Sequence, residues 1–285
     1  MGAADIIPGV SGGTVALITG IYERLIDAIK SVNLLFVPYF FRGLVDRRYF
    51  KKSKENFNEI DLKFLIPILS GIAVAFLLLA NIIGFFRDGY PTYTSAFFFG
   101  LILSSSVFVY ISFEKRIDIK SFLFIAIGIV VGFVIVGLEE IQTNHTLIII
   151  FLCGTITICA MILPGISGAF VLWILGQYDF MLGVLINVTH LNFSKIHFTF
   201  AYVLGGIVGI LTFSRILSYL IKKYRVSTIS FLLGLMLGAL RMPGVKIMNN
   251  PENMILTVFS ALIGITAVLL MGYYKYYLDN KSISA

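Results

Sequence analysis

Residues 4–14 read ADIIPGVSGGT, and residues 160–170 read AMILPGISGAF. Both stretches lie in apolar sequence, where a membrane helix would normally run without interruption. Proline has no amide hydrogen and restricts the residue before it, so a helix tends to stop just before Pro8 and Pro164. The glycines that follow permit unusual backbone angles. The sequence therefore predicts two broken helices, each inside an apolar region.

The composition is typical of an integral membrane protein. Of the 285 residues, 58% are hydrophobic and only 13% are charged, and the mean hydropathy is +0.95. A soluble domain carries about 25% charged residues, so this chain lacks the charge to cover a water-facing surface. A soluble protein with a very large buried core is the weaker alternative. The net charge is +7, and the lysines and arginines lie mainly between apolar segments. This distribution is typical of residues that orient a membrane protein, so we predict no nucleic-acid partner.

Six apolar runs predict helices that cross the bilayer, which takes about 20 residues. Their ranges are 64–86, 89–113, 121–138, 196–221, 226–240 and 253–274. Period-two alternation is absent, which favours an all-α integral membrane protein. The two remaining apolar stretches, 2–41 and 141–194, each predict a broken helical hairpin, re-entrant or spanning.

The basic residues predict the orientation of these segments. Fifteen lysines and arginines fall in four regions, 42–63, 115–120, 222–225 and the tail beyond residue 274, whereas the alternate loops hold four. If each hairpin returns to its own side, all four basic regions, including the C-terminus, are cytoplasmic. We expect the 42–63 region to be a short surface helix or a solvated connection.

The chain contains an internal duplication. Residues 4–23 and 160–179 are identical at ten of twenty positions, and FFFGLIL at 97–103 matches FLLGLML at 231–237. IGI at 127–129 matches IGI at 263–265, and the three matches occur in the same order. We predict two repeats, 1–140 and 141–285, each a broken hairpin followed by three transmembrane helices. Because three is odd, the second repeat is inverted relative to the first, as in many secondary transporters.

The broken segments predict a site for an anion. Ser11 and Ser167 are suitable N-caps, and amide groups at a helix start attract anions. Two inverted copies are expected to meet near the membrane midplane. The candidate binding residues of the two motifs are Pro8, Gly9, Ser11, Gly12, Gly13, Thr14, Pro164, Gly165, Ser167 and Gly168. The alternative is a structural kink with tight helix packing through glycine.

Carboxylates within predicted membrane segments are functional candidates because burying a charge is costly. Asp5, Glu23 and Asp179 are the candidates for carrying a coupling proton. Asp5 breaks the symmetry of the repeat, because Met161 is its counterpart. Glu23 has the simpler alternative of an ion pair with Arg24 near the interface.

Three arginines are candidates for neutralising a phosphate: Arg24, Arg215 and Arg241. Arg215 has the alternative of pairing with Asp179. The sequence contains no nucleotide-binding loop, metal-ligand cluster or nucleophile-plus-base pattern. We therefore predict no cofactor, no metal and no enzymatic activity.

The stretch GAADIIPGVSGGT at 2–14, followed by GIYERL at 20–25, closely resembles the signature of the bacterial polyprenyl-phosphate transporter family, formerly a family of unknown function. FFGLIL at 98–103 and PGISG at 164–168 also resemble that family. The resemblance implies a flippase that returns undecaprenyl phosphate from the outer to the inner leaflet of the bacterial cell membrane, supporting cell-wall synthesis. The residues alone imply only an anion site in an inverted-repeat transporter.

The chain departs from the family pattern in one respect, and three alternative functions are also consistent with the sequence. Family members carry an apolar half-helix before the first motif, as the second half does at 141–163, whereas this chain starts almost on the motif. Either the true start lies upstream or the first hairpin lacks its leading arm. The rivals are a carrier of a small soluble anion, a membrane enzyme acting on the lipid phosphate, and a non-transporting scaffold.

Overall fold

The computed structural model describes residues 1–5, 11–111, 118–141, 143–189 and 192–283. Within these ranges the chain is helical and contains no strand, which confirms the predicted all-α class. The helices are α1 Gly2–Asp5, α2 Gly12–Ile18, α3 Tyr22–Lys30, α4 Phe36–Gly43, α5 Arg48–Asn58, α6 Leu62–Gly89, α7 Pro91–Ile111, α8 Ile119–Val136, α9 Leu147–Ile162, α10 Gly168–Ile174, α11 Tyr178–Thr189, α12 Ile196–Lys223, α13 Arg225–Ala239, α14 Arg241–Asn249 and α15 Met254–Ile283.

The described ranges contain five helical segments that are long and apolar enough to cross a membrane. They are Pro91–Ile111, Ile119–Val136, Ile196–Lys223, Arg225–Asn249 and Met254–Tyr273. The fourth joins α13 and α14. Large apolar side chains on these helices are exposed, including Leu262 and Leu270 on α15, as a lipid-facing surface requires. The chain is therefore a multi-pass membrane protein.

The basic 42–63 region forms a helix at the surface. Helix α5 within it is mostly exposed and packs back onto α4 through aromatic contacts. Tyr49 stacks on Tyr39 with ring centroids 6.1 Å apart, and Phe50 meets Phe40 edge-on at 5.6 Å. The short surface helix is thus the correct one of the two predicted alternatives.

Helices α7 and α15 touch through glycine. A Cβ atom at Gly100 would collide with the carbonyl oxygen of Ala261, and one at Gly264 would collide with the carbonyl oxygen of Phe97. Small residues let membrane helices approach until their backbones meet. The close contact therefore depends on glycine at both positions.

Helices α8 and α13 touch in the same way. A Cβ atom at Gly234 would collide with the carbonyl oxygen of Ile125, and one at Gly128 with that of Phe231. In the matched segments, residues 97 and 100 correspond to 231 and 234, and residue 128 corresponds to 264. The same pair of contacts therefore occurs twice, each time between one helix of the first half and one of the second.

Helix α9 packs against α12 and fixes the start of the second broken segment. Cβ atoms at Gly205 and Gly154 would collide with the carbonyl oxygens of Phe151 and Tyr202. The Thr155 hydroxyl also donates to the carbonyl oxygen of Gly205 at 3.0 Å. These contacts hold the first half of α9, the helix that leads into the proline-glycine motif, against a long membrane helix.

Candidate functional site

The first broken segment has its helix start satisfied by side chains. Helix α1 ends at Asp5, and α2 begins at Gly12 with Ser11 as N-cap. The Ser11 hydroxyl accepts from the Gly13 amide at 3.1 Å, and the Asp5 carboxylate accepts from the Gly12 amide at 2.6 Å. The predicted cap at Ser11 is present. Pro8 and Gly9 lie outside the described residues.

The second broken segment has the predicted outline but lacks the predicted cap hydrogen bond. Helix α9 ends at Ile162, just before Pro164. Gly165 has φ +87°, and a Cβ there would lie 2.9 Å from the Cα of Met236, so glycine is required. Ser167 occupies the N-cap position of α10, ahead of Gly168, but its side chain makes no cap hydrogen bond, although only 4% of the residue is exposed.

The two broken segments contact each other directly. The Ser11 hydroxyl donates to the carbonyl oxygen of Met161 at 3.1 Å. The Gly165 amide donates to the Thr14 hydroxyl at 3.0 Å. A Cβ at Gly13 would lie 2.5 Å from the carbonyl oxygen of Ile162. We call this region, residues 11–14 against 161–165, the motif crossing; the structure brings the two predicted motifs together there.

Tyr22 contacts the motif crossing and was not among the residues predicted from the sequence. The residue is 1% exposed, and its hydroxyl donates to the carbonyl oxygen of Ile162 at 3.2 Å. The available signal was its identity with Tyr178 in the duplication. The two tyrosines differ in the fold, because Tyr178 is exposed at the start of α11.

An apolar cavity of about 370 Å³ adjoins the first motif. Asp5, Gly12 and Gly13 form the part of its wall that belongs to the motif. The remaining wall is hydrophobic and comes from α3, α6, α9 and α12, including Leu25, Ile29, Leu65, Ile68, Ile158 and Ile210. The cavity therefore suits a hydrocarbon chain, and its wall includes the carboxylate of Asp5 and the start of α2.

Glu23 and Arg24 each pair with another residue, which argues against the alternative of an ion pair between them. Glu23 accepts from Arg225 at 2.9 Å, and Arg24 reaches Asp61 at 3.4 Å while lying over the ring of Phe64 at 4.4 Å. These partners come from other elements, so the local sequence could not indicate them. Both pairs are largely exposed, and such pairs contribute about 0–1 kcal/mol.

Arg215 and Asp179 are likewise not paired in the described part of the chain. Arg215 is exposed and donates to the carbonyl oxygen of Leu211 in its own helix at 3.0 Å. Asp179 lies exposed in the first turn of α11. Arg241 donates to the carbonyl oxygen of Phe133 at 2.8 Å. No contact of the described residues joins Arg24, Arg215 or Arg241 to the motif crossing.

We expect Thr14→Val to lower the free energy of unfolding by about 1–3 kcal/mol, the cost of leaving a buried amide without a partner. Valine has the shape of threonine but cannot accept from the Gly165 amide. Thr14→Ser keeps the acceptor and is the matched control. Thermal unfolding of the purified proteins in detergent measures both. Equal stability of the two variants would contradict the bond at the crossing.

These features define a polytopic helical membrane protein in which two interrupted helices meet beside an apolar cavity. The chain belongs to the VCA0040-like, undecaprenyl phosphate translocase-like family, whose profile matches residues 1–244. This confirms the resemblance seen in the sequence.

Two curated relatives support the assignment. The chain is 38% identical over 241 residues to a polyprenyl-phosphate transporter of Vibrio cholerae serotype O1, covering 84% of this chain and 73% of the relative. It is 28% identical over 251 residues to a polyprenyl-phosphate transporter of Staphylococcus aureus, covering 84% of this chain and 81% of the relative. No solved structure matches the chain. The family and both relatives are named as transporters or translocases, so the chain is placed among transporters and not enzymes.

Proposed function

We propose that this protein transports polyprenyl phosphate, and specifically that it returns undecaprenyl phosphate from the outer to the inner leaflet, where cell-wall synthesis reuses it. The names of both relatives support the substrate class. The observation that carries the proposal is the apolar cavity that adjoins the motif crossing. An apolar groove and a helix start together match a phosphate monoester on a hydrocarbon chain, because a helix start attracts anions.

The head group in this mechanism binds at the motif crossing. The motif residues are the candidate contacts: Pro8, Gly9, Ser11, Gly12, Gly13, Thr14, Pro164, Gly165, Ser167 and Gly168. The crossing in the described state is closed by bonds between its own groups, such as Gly165 to Thr14. A phosphate oxygen would replace the hydroxyl as acceptor, so binding exchanges one hydrogen bond for another.

Inverted repeats 1–140 and 141–285 provide the two states in this proposal. The equivalent glycine contacts of α7 with α15 and of α8 with α13 support the duplication. So do the positive φ angles of Gly20 (75°) and Gly176 (64°), which follow the two motifs at matched positions. Transporters built from inverted repeats alternate access by moving one unit against the other around a central site.

Orientation follows from the loop charges. With the basic regions and the C-terminus in the cytoplasm, the 42–63 region and the junction of α12 with α13 lie inside. The C-terminal end of α8 and the C-terminal end of α14, where the spanning segment Arg225–Asn249 finishes, then lie on the outer side. In this orientation we place the apolar cavity on the cytoplasmic side of the crossing, because α3 and the first part of α6 line it.

Asp5 is the carboxylate best placed to carry a coupling proton. It lines the apolar cavity and accepts from the first amide of α2. Glu23 is instead paired with Arg225, and Asp179 is exposed. Protonation of Asp5 would free the Gly12 amide for an anion, which links a proton to the substrate. Asp5→Asn should then transfer substrate at a rate independent of a proton gradient.

The proposed function is tested by transfer of a labelled polyprenyl phosphate between the leaflets of proteoliposomes, with and without a proton gradient. A soluble phosphate ester inside the vesicles is the comparison. We expect transfer of the lipid above the rate of protein-free vesicles and no release of the ester. Release of the ester without lipid transfer would instead support a carrier of soluble anions. If neither compound moves, the non-transporting scaffold is the better account.

A further inference from the structure

A second cavity lies apart from the motif crossing and has a different character. Its volume is about 560 Å³, within the range of ligand sites. Its wall comes from the end of α8, α10, the start of α11, and α14. The residues that matter here are Gly137, Phe170, Trp173, Tyr178, Arg241 and Lys246. We call it the arginine cavity.

Arg241 brings a positive charge to this cavity without a carboxylate partner among the described ion pairs. Its guanidinium donates to the Phe133 carbonyl oxygen at 2.8 Å and lies 4.2 Å from the centroid of the Phe133 ring. Both contacts are with uncharged groups. A guanidinium has five N–H donors, so one carbonyl leaves it able to bind a phosphate through two parallel bonds.

Gly137 gives the guanidinium its space. A Cβ atom at this position would collide with the Arg241 guanidinium nitrogens. The colliding group is the end of a flexible side chain, so alanine at 137 would move the charge and leave the helices in place. The position of the positive charge in the cavity therefore depends on a glycine from another helix.

Apart from Lys246, the remainder of the wall is aromatic and apolar. Phe170 and Trp173 stack with ring centroids 5.8 Å apart, and Tyr178 adds a third ring. A small soluble anion would make no use of this surface, whereas the first prenyl units of a lipid phosphate would cover it. The exposed Glu139 and Glu140 follow the tip of α8, so binding must depend on direct guanidinium contact more than on long-range attraction.

We propose that the arginine cavity is the site where a prenyl phosphate from the outer leaflet first binds. The inference rests on the proposed function and on the orientation that puts the C-terminal end of α14 on the outer side. Arg241 takes the phosphate, and the rings of α10 and α11 take the first prenyl units. Helix α10 begins at Ser167, so a head group held here lies along the helix that leads to the second motif.

The protein carries its own reporter for this site, because Trp173 is the one tryptophan in the 285-residue sequence. Purified protein in lipid nanodiscs is titrated with farnesyl phosphate, farnesol or inorganic phosphate. Tryptophan fluorescence reports the location, and retention of tritiated farnesyl phosphate reports the affinity. We expect a saturable change in fluorescence with farnesyl phosphate at concentrations where neither of the other two compounds has an effect.

Arg241→Gln should weaken farnesyl phosphate binding at least tenfold, because the phosphate loses its charge-assisted hydrogen bonds to the guanidinium. Arg241→Lys should recover part of the affinity, and Gly137→Ala should weaken binding by moving the guanidinium. Arg48→Gln is the charge-matched control, because the Arg48 side chain is 92% exposed on the surface helix α5. We expect it to bind as the wild type does.

Wild-type affinity in Arg241→Gln would overturn the inference, as would equal binding of inorganic phosphate and farnesyl phosphate. The proposed function is judged separately, by leaflet transfer in the wild type. Normal transfer by both the wild type and Arg241→Gln would remove the arginine cavity from the route and leave the function standing. Arginine-dependent binding without any transfer in the wild type would keep the binding site and remove the function.

Discussion

Replacing Ser167 with alanine should slow leaflet transfer of polyprenyl phosphate at least tenfold while the thermal unfolding midpoint stays unchanged. Ser167 is buried at the start of α10, yet its hydroxyl makes no cap hydrogen bond there. A hydroxyl that does not cap the helix is available to a phosphate. A hydrogen bond to a charged group contributes about 1.5–3 kcal/mol, which corresponds to tenfold or more.

Ser11→Ala should differ from Ser167→Ala by lowering stability as well as transfer. The Ser11 hydroxyl accepts from the Gly13 amide and donates to the Met161 carbonyl oxygen, both at 3.1 Å. Loss of a serine N-cap typically costs about 1 kcal/mol. The two serines are equivalent in the duplication, so comparing their variants separates the structural role from substrate binding.

Both variants are measured in proteoliposomes for transfer and in detergent for thermal unfolding. Ser70→Ala is the control, because Ser70 is exposed and bonds only to the Pro67 carbonyl oxygen within its own helix. Wild-type transfer by Ser167→Ala, together with a purely structural loss in Ser11→Ala, would reduce the motifs to helix kinks. The structural-kink alternative would then be the better account of both proline-glycine segments.

The sequence was most informative where structure depends on local chemistry. Proline predicted the end of α9 before residue 164, and serine before glycine predicted the start of α2. Uncharged runs predicted the long membrane helices. For the two helix ends the cause lies within a few residues, because proline removes an amide donor and an N-cap supplies an acceptor to its own helix.

The local sequence does not show which residues form long-range hydrogen bonds and ion pairs. Glu23 lies beside Arg24 in the sequence but pairs with Arg225, 202 positions away. Thr14 meets Gly165 across 151 positions. Such contacts depend on how helices cross, and helix periodicity does not determine which faces meet. The duplication correctly predicted that the two motifs contact each other, because two copies of one unit tend to meet through equivalent parts.

Gly234→Ala is expected to destabilise the protein by about 3 kcal/mol, the upper part of the range for overpacking. A Cβ at this position would collide with the Ile125 carbonyl oxygen and lie 2.8 Å from the Cα of Gly128. Both obstacles are backbone atoms, so no side-chain rotation relieves them, and α8 must move away from α13. For a chain of this size we expect a fall of about 6–12 °C in the unfolding midpoint.

Gly71→Ala is the matched control for this change. Gly71 also lies inside a long helix, but no atom lies within 4 Å of a Cβ built there. Alanine favours a helix over glycine by about 1 kcal/mol, so this variant should be as stable as the wild type or more stable. Equal midpoints for Gly71→Ala and Gly234→Ala would contradict the close contact between α8 and α13.

Gly100→Ala extends the same measurement to the duplication. Its Cβ would collide with the Ala261 carbonyl oxygen, the counterpart of the obstacle at Gly234. Suppose that the two halves are copies and that each of these helices packs against a helix of the other half. Alanine then meets the same geometry at both positions, and the two substitutions should lower the unfolding midpoint by similar amounts. A large loss at Gly234 with none at Gly100 would mean that the matched segments pack differently. The proposal that two inverted repeats move as equivalent units would then lose its main structural support.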